Sequence, residues 1–87
     1  MHAQGYETDF REGQKLFQER AKSTQDHLKE HLLNYPHTPY SDEIHLMQGV
    51  LYVEKGKYKQ AQKVFQKIKA KNLSRASESI YHFYWGY

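Results

Sequence analysis

Gly49-Val50-Leu51-Tyr52-Val53-Glu54-Lys55-Gly56-Lys57-Tyr58-Lys59-Gln60-Ala61-Gln62-Lys63-Val64-Phe65 is the stretch that decides the fold. From Tyr58 onward, Tyr58, Ala61, Phe65 and Ile68 recur at spacings of 3, 4 and 3, the stripe of an amphipathic helix. Gly56 sits where a preceding helix must stop, and it accepts the left-handed backbone that closes a helix C-terminus without steric cost. Two helices therefore meet at Gly56 as a hairpin. Gly49 and Ala61 are small enough to let them cross closely, while Tyr52, Tyr58 and Phe65 fill the space alongside.

Working outward, Tyr35-Pro36-His37-Thr38-Pro39-Tyr40 is the one proline-bearing stretch and breaks any helix that reaches it. Thr38 suits an N-cap and Pro39 a first helical position, with Asp42 and Glu43 following where carboxylates complement the helix dipole. The expected helix runs from Pro39 to Lys55, and the next from Tyr58 to Lys71. Leu73-Ser74 forms a turn and cap before a last segment, Arg75 to Tyr87. Upstream, Phe10, Gly13, Leu16 and Phe17 share one face of a helix over Thr8–Arg20. Ser23-Thr24-Gln25-Asp26 has the form of a capping box, with Asp in the usual Glu position. A helix with Leu28, Leu32 and Tyr35 on one side follows it. About five helices result, and no segment alternates with the period of a strand: the chain reads as all-α.

Gly13, Gly49 and Gly86 are separated by 36 and 37 residues, so the helix pairs recur. The order small residue, aromatic three later, Gly-x-aromatic turn, then Ala and an aromatic four later resembles the tetratricopeptide repeat. Residues 38–73 carry the best match. Residues 8–36 are a degenerate repeat, with Gln25 or Thr24 where a small residue belongs and Arg20-Ala21-Lys22 lacking both Gly and Tyr. Residues 74–87 match a first helix alone. The resemblance implies a right-handed helical-hairpin solenoid segment, one domain over 8–87 behind a disordered or signal-derived 1–7. It also implies a non-catalytic module that binds a protein or peptide on a concave face. Family groove positions fall on Phe10, Gln14, Phe17, Glu43, Leu46, Val50, Val53, Glu54, Ile80 and Phe83. The alternative is a scaffold segment whose groove is filled by its own longer chain. The phrase Tyr35-Pro36-His37-Thr38-Pro39-Tyr40-Ser41-Asp42-Glu43 is similar to the inter-repeat turn of bacterial cell-envelope repeat proteins.

The 87 residues carry 13 Lys and Arg against 10 Asp and Glu, with no cysteine. Disulfide and thiolate chemistry are thereby excluded. No apolar run approaches the length of a membrane span. Leu, Ile, Val and Phe number only 17, so the 15% of aromatic residues must supply much of the burial. His27-Leu28-Lys29-Glu30-His31 spells H-x-x-E-H, a zinc-peptidase motif. Such an enzyme needs a third, distant acidic ligand and a far larger fold, so a metal-dependent hydrolase ranks last. The pair reads as two surface histidines, with no metal, no cofactor and no catalytic residue assigned. Lys55, Lys59, Lys63, Lys67 and Lys71 follow one another at i+4, a basic ridge on one helix that solvates its face and offers weak contact to an anionic surface. The aromatics lie opposite the lysines, which argues against nucleic-acid binding.

His2-Ala3-Gln4 resembles a signal-peptidase junction, which implies export to the periplasm or cell envelope, with the cytoplasm as the alternative. Tyr81-His82-Phe83-Tyr84-Trp85-Gly86-Tyr87 ends an apolar helix where a solenoid needs a polar cap, implying a fragment of a longer repeat protein. Phe83, Tyr84, Trp85 and Tyr87 are the residues through which it would pair with a second copy as a homodimer.

Overall fold

The computed structural model describes residues 5–85. The helices follow in the order α1 (Gly5–Glu19), α2 (Thr24–Asn34), α3 (Ser41–Glu54), α4 (Tyr58–Phe65) and α5 (Arg75–Tyr84), with a 3-10 turn at Ala70–Asn72. No strand occurs among the described residues. The chain is all-α. It divides into two compact units, Met1–Ser41 and Asp42–Tyr87.

In the first unit α1 pairs with α2. Helix α1 begins at Gly5, three residues before Thr8, so residues 5–7 of the expected N-terminal tail are helical. It ends at Arg20, whose φ of 53° is left-handed although the residue is not glycine. Arg20 N–H donates to Phe17 O and Ala21 N–H to Leu16 O, both at 3.0 Å. This six-to-one and five-to-two pairing is a Schellman closure. The same closure recurs in the second unit. Gly56, at φ 76°, donates to Val53 O at 3.0 Å, and Lys57 N–H donates to Tyr52 O at 2.8 Å. Every residue of the second set lies 36 positions beyond its counterpart in the first.

Two expected caps are built differently. Ser23 makes no side-chain cap at α2. Thr24 Oγ1 instead lies 2.7 Å from Ala21 O and 3.0 Å from Leu16 O and donates back to the α1 closure. Threonine, with a methyl to bury, is the residue turned inward here, and the serine stays in solvent. Ser23→Ala should therefore change stability by less than about 0.5 kcal/mol, while Thr24→Val should cost about 1 kcal/mol. Urea denaturation of the two variants checks the order. Helix α3 starts at Ser41 and not at Pro39, because Thr38 is drawn into the interior and its Oγ1 accepts from Tyr40 N–H at 3.2 Å rather than capping α3.

In the second unit the atoms nearest a Cβ at Gly49 belong to Phe65. A Cβ built on Gly49 would fall 2.7 Å from both Cδ1 and Cζ of the Phe65 ring. Helix α4 stops at Phe65, six residues short of Lys71. Lys67 N–H and Ile68 N–H bond three residues back, to Val64 O and Phe65 O, tightening the chain into a turn that rolls Ile68 into the core. The five lysines at i+4 are all exposed, but only Lys59 and Lys63 lie on α4, so no continuous basic ridge exists. Tyr58, expected on the buried stripe, is 64% exposed. The cap at Ser74 is as expected: its side chain accepts from Ser77 N–H at 3.2 Å.

Candidate functional site

In the first unit, His27 and His31 lie one turn apart on α2 and both reach Asp9 of α1. His27 Nε2–H donates to Asp9 O at 3.0 Å, and His31 Nδ1–H donates to Asp9 Oδ2 at 2.7 Å. With Nδ1 as donor, His31 Nε2 accepts from Thr38 Oγ1–H at 3.0 Å. The reading of both residues as surface histidines is therefore corrected: His31 is 1% exposed. Its ring lies between Phe10 and Tyr35, and Phe10 stacks flat on Tyr40 at 4.0 Å. Asp9, His31 and Thr38 are in the order of a hydrolytic triad, and the imidazole and hydroxyl are both buried. Among the described residues no three His, Asp or Glu side chains are arranged to hold a metal ion. This chain of hydrogen bonds joins α1, α2 and the proline turn.

The second unit contains an open pocket of about 270 Å³ lined by Val53, Tyr58, Ala61, Gln62, Phe65, Tyr84 and Trp85. The end of α3, the outer turns of α4 and the end of α5 supply the walls. Phe65 forms its floor, with the Trp85 ring 5.8 Å away and the Tyr81 ring 6.3 Å away. Helix α5 is set by the two carboxylates that open α3. Glu43 Oε2 accepts from Ser74 N–H at 2.8 Å and its Oε1 from Ser77 Oγ–H at 2.5 Å. Asp42 Oδ2 accepts from Asn72 Nδ2–H at 2.8 Å.

The residues expected to face a partner are dispersed. Phe10, Leu46 and Val50 are buried and present no surface. Gln14 and Phe17 are half-buried, and the Arg20 guanidinium covers the Phe17 ring at 4.2 Å. Glu43 is occupied by α5. Val53 alone of the groove set lines the pocket, beside an exposed Glu54. Ile80 and Phe83 are exposed, Phe83 at 71%. Of the residues assigned to self-association, Tyr84 and Trp85 turn into the pocket of their own unit, and Tyr87 lies outside the described residues, as do His2, Ala3 and Gln4. The pocket's Tyr58, Phe65 and Trp85 were scattered among a core stripe and a dimer patch; the alternation Lys55-x-Lys57-Tyr58-Lys59, with its aromatic amid cations, was the available signal of an exposed tyrosine.

His45 on α3 has a buried Nδ1 with no hydrogen-bond partner among the described residues. Burial, and then the positive charge of Lys67, hold its pKa below the usual 6.5, with Asp42 opposing. The folded chain thus resists protonation that the unfolded chain accepts. The contribution of His45 to stability is complete above pH 6.5 and declines as pH falls through its lowered pKa. A ring-proton NMR titration should give a midpoint below 6.5 that rises in Lys67→Gln; an unchanged midpoint in that variant would remove Lys67 as a cause.

These features define an all-α protein with a closed polar cluster in one unit and an open aromatic pocket in the other. Compared with family models, curated proteins and solved structures, the chain matches none. No helix among the described residues is long and apolar enough to cross a membrane.

Proposed function

We propose that the chain is a non-catalytic helical-repeat module of tetratricopeptide type that binds a protein or peptide segment. The observation that supports a repeat is the Schellman closure at Arg20 and again, 36 residues on, at Gly56. That spacing also relates Gly13, close against Leu28, to Gly49, close against Phe65. Binding is supported by the pocket, whose walls are aromatic and open, whereas the imidazole and hydroxyl of the Asp9–His31–Thr38 arrangement are buried. The solenoid arrangement belongs to the same proposal, as does export to the cell envelope, which rests on the resemblance alone.

Selection from a displayed library of random peptides tests it. Enriched sequences should share an apolar anchor residue, and their binding should weaken about tenfold in Tyr58→Ala, which removes an exposed wall of the pocket without touching the core. Absence of any enriched sequence would reject the module.

A further inference from the structure

The charge around the pocket says what kind of partner it takes. Between Glu43 and Glu78 the chain carries seven lysines and one arginine against a single carboxylate, Glu54. Three of those lysines are exposed where α3 gives way to α4: Lys55 and Lys57 in the three-residue connection and Lys59 in the first turn of α4. Val53 and Tyr58, on either side of this turn, both line the pocket, so the three cations are sequence neighbours of its walls although none is itself a lining residue. Long lysine side chains lay their methylenes over apolar surface and keep the ammonium in water, which suits them to the rim of an aromatic cavity. A cavity of about 270 Å³ is smaller than a drug-sized site and of the order of one large side chain.

The geometry points to an acidic peptide segment with one large apolar residue, the ring or branched chain seated on Phe65 between Tyr58 and Trp85 and the flanking carboxylates paired with Lys55, Lys57 and Lys59. This rests on the interaction-module reading and adds the partner's charge and its anchor. Single-stranded nucleic acid is the competing polyanion. It favours a track of successive stacking platforms, whereas here the aromatic rings converge on one open pocket. Electrostatic complementarity at the rim speeds encounter and selects the partner, and the buried anchor holds it.

The single tryptophan is a wall of the site, so its emission reports occupancy directly. The probe is an octapeptide of Asp and Glu with one central Phe, titrated against the full chain. Saturable change in Trp85 emission is expected. The dissociation constant should rise about tenfold or more when the peptide's Phe becomes Ala. It should rise severalfold in Lys57→Gln/Lys59→Gln and again at about 0.5 M salt. Both lysines are exposed, and circular dichroism of the variant should match the parent. Equal binding of a Ser/Gly peptide with the same Phe would overturn the acidic partner and leave the module reading intact. Tighter binding of an oligothymidylate than of the acidic peptide would overturn it in favour of nucleic acid. Binding unaffected by Tyr58→Ala would remove it from this pocket, and failure of all three probes would remove the inference and weaken the module with it.

Discussion

Gly49→Ala is expected to lower stability by about 1–2 kcal/mol, and by more than Gly13→Ala. Both glycines are inside helices, where alanine is intrinsically better by about 1 kcal/mol. The difference lies in what the new methyl meets. At Gly13 the nearest atoms are Leu28 Cδ2 at 3.1 Å and His27 Cδ2 at 3.3 Å, so the buried Leu28 and the His27 ring need yield only a few tenths of an ångström. At Gly49 the methyl overlaps several atoms of the Phe65 ring at once. Phe65 is 1% exposed and packed against Tyr81 and Trp85, so the ring has nowhere to go. Overpacking of about 1–3 kcal/mol then exceeds the propensity gain. For a chain of this size each kcal/mol moves the melting temperature by about 4–8 °C. The double variant Gly49→Ala/Phe65→Leu should recover part of the loss relative to the sum of the two single changes, because the residues touch. A Gly49→Ala protein melting with the parent would mean that the crossing is looser than 2.7 Å implies.

Replacing His31 by leucine should cost about 2–4 kcal/mol, although leucine is the more hydrophobic residue at a site that is 1% exposed. The loss comes from the partners. Thr38 Oγ1–H loses its acceptor in a buried position, and the Asp9 carboxylate loses a 2.7 Å charge-assisted bond. The Asp9 side chain keeps 28% of its surface in water, so it rehydrates in part and the threonine bears more of the penalty. Asp9→Asn keeps an acceptor for His31 Nδ1–H and should be milder than His31→Leu. If His31→Leu proved neutral in urea denaturation, the three groups would be adjacent without being coupled.

Helix α2 shows why the first cluster escaped the sequence. A stripe chosen by hydrophobicity takes Leu28, Leu32 and Tyr35, yet Leu32 is only half-buried and the neighbouring Leu33 is 71% exposed. The buried stripe is Thr24, Leu28 and His31, at spacings of 4 and 3. The helical period was legible; the polar members of the stripe were invisible because the groups that satisfy them lie outside α2, Leu16 and Ala21 for Thr24 and Asp9 and Thr38 for His31. Gly56 and Ser74 were legible for the opposite reason, since a left-handed turn and an N-cap are decided within a few residues. The end of α4 at Phe65 has no glycine or proline to announce it, and the periodic lysines run straight through the break. The pocket was the least legible feature, being assembled from three helices of which each contributes only an edge.

Helix α5 has no buried residue. What seats it is a pair of hydrogen bonds from Ser74 and Ser77 to Glu43 at one end and ring contacts of Tyr81 and Trp85 with Phe65 at the other. An element held so lightly belongs to the first tier of local opening, well below the free energy of global unfolding. Its amides should exchange with solvent before those of α3. Because Tyr84 and Trp85 would leave with it, the cavity should last only for the dwell time of one helix. Glu43, which holds the other end of that helix, should then set how long the pocket stays assembled.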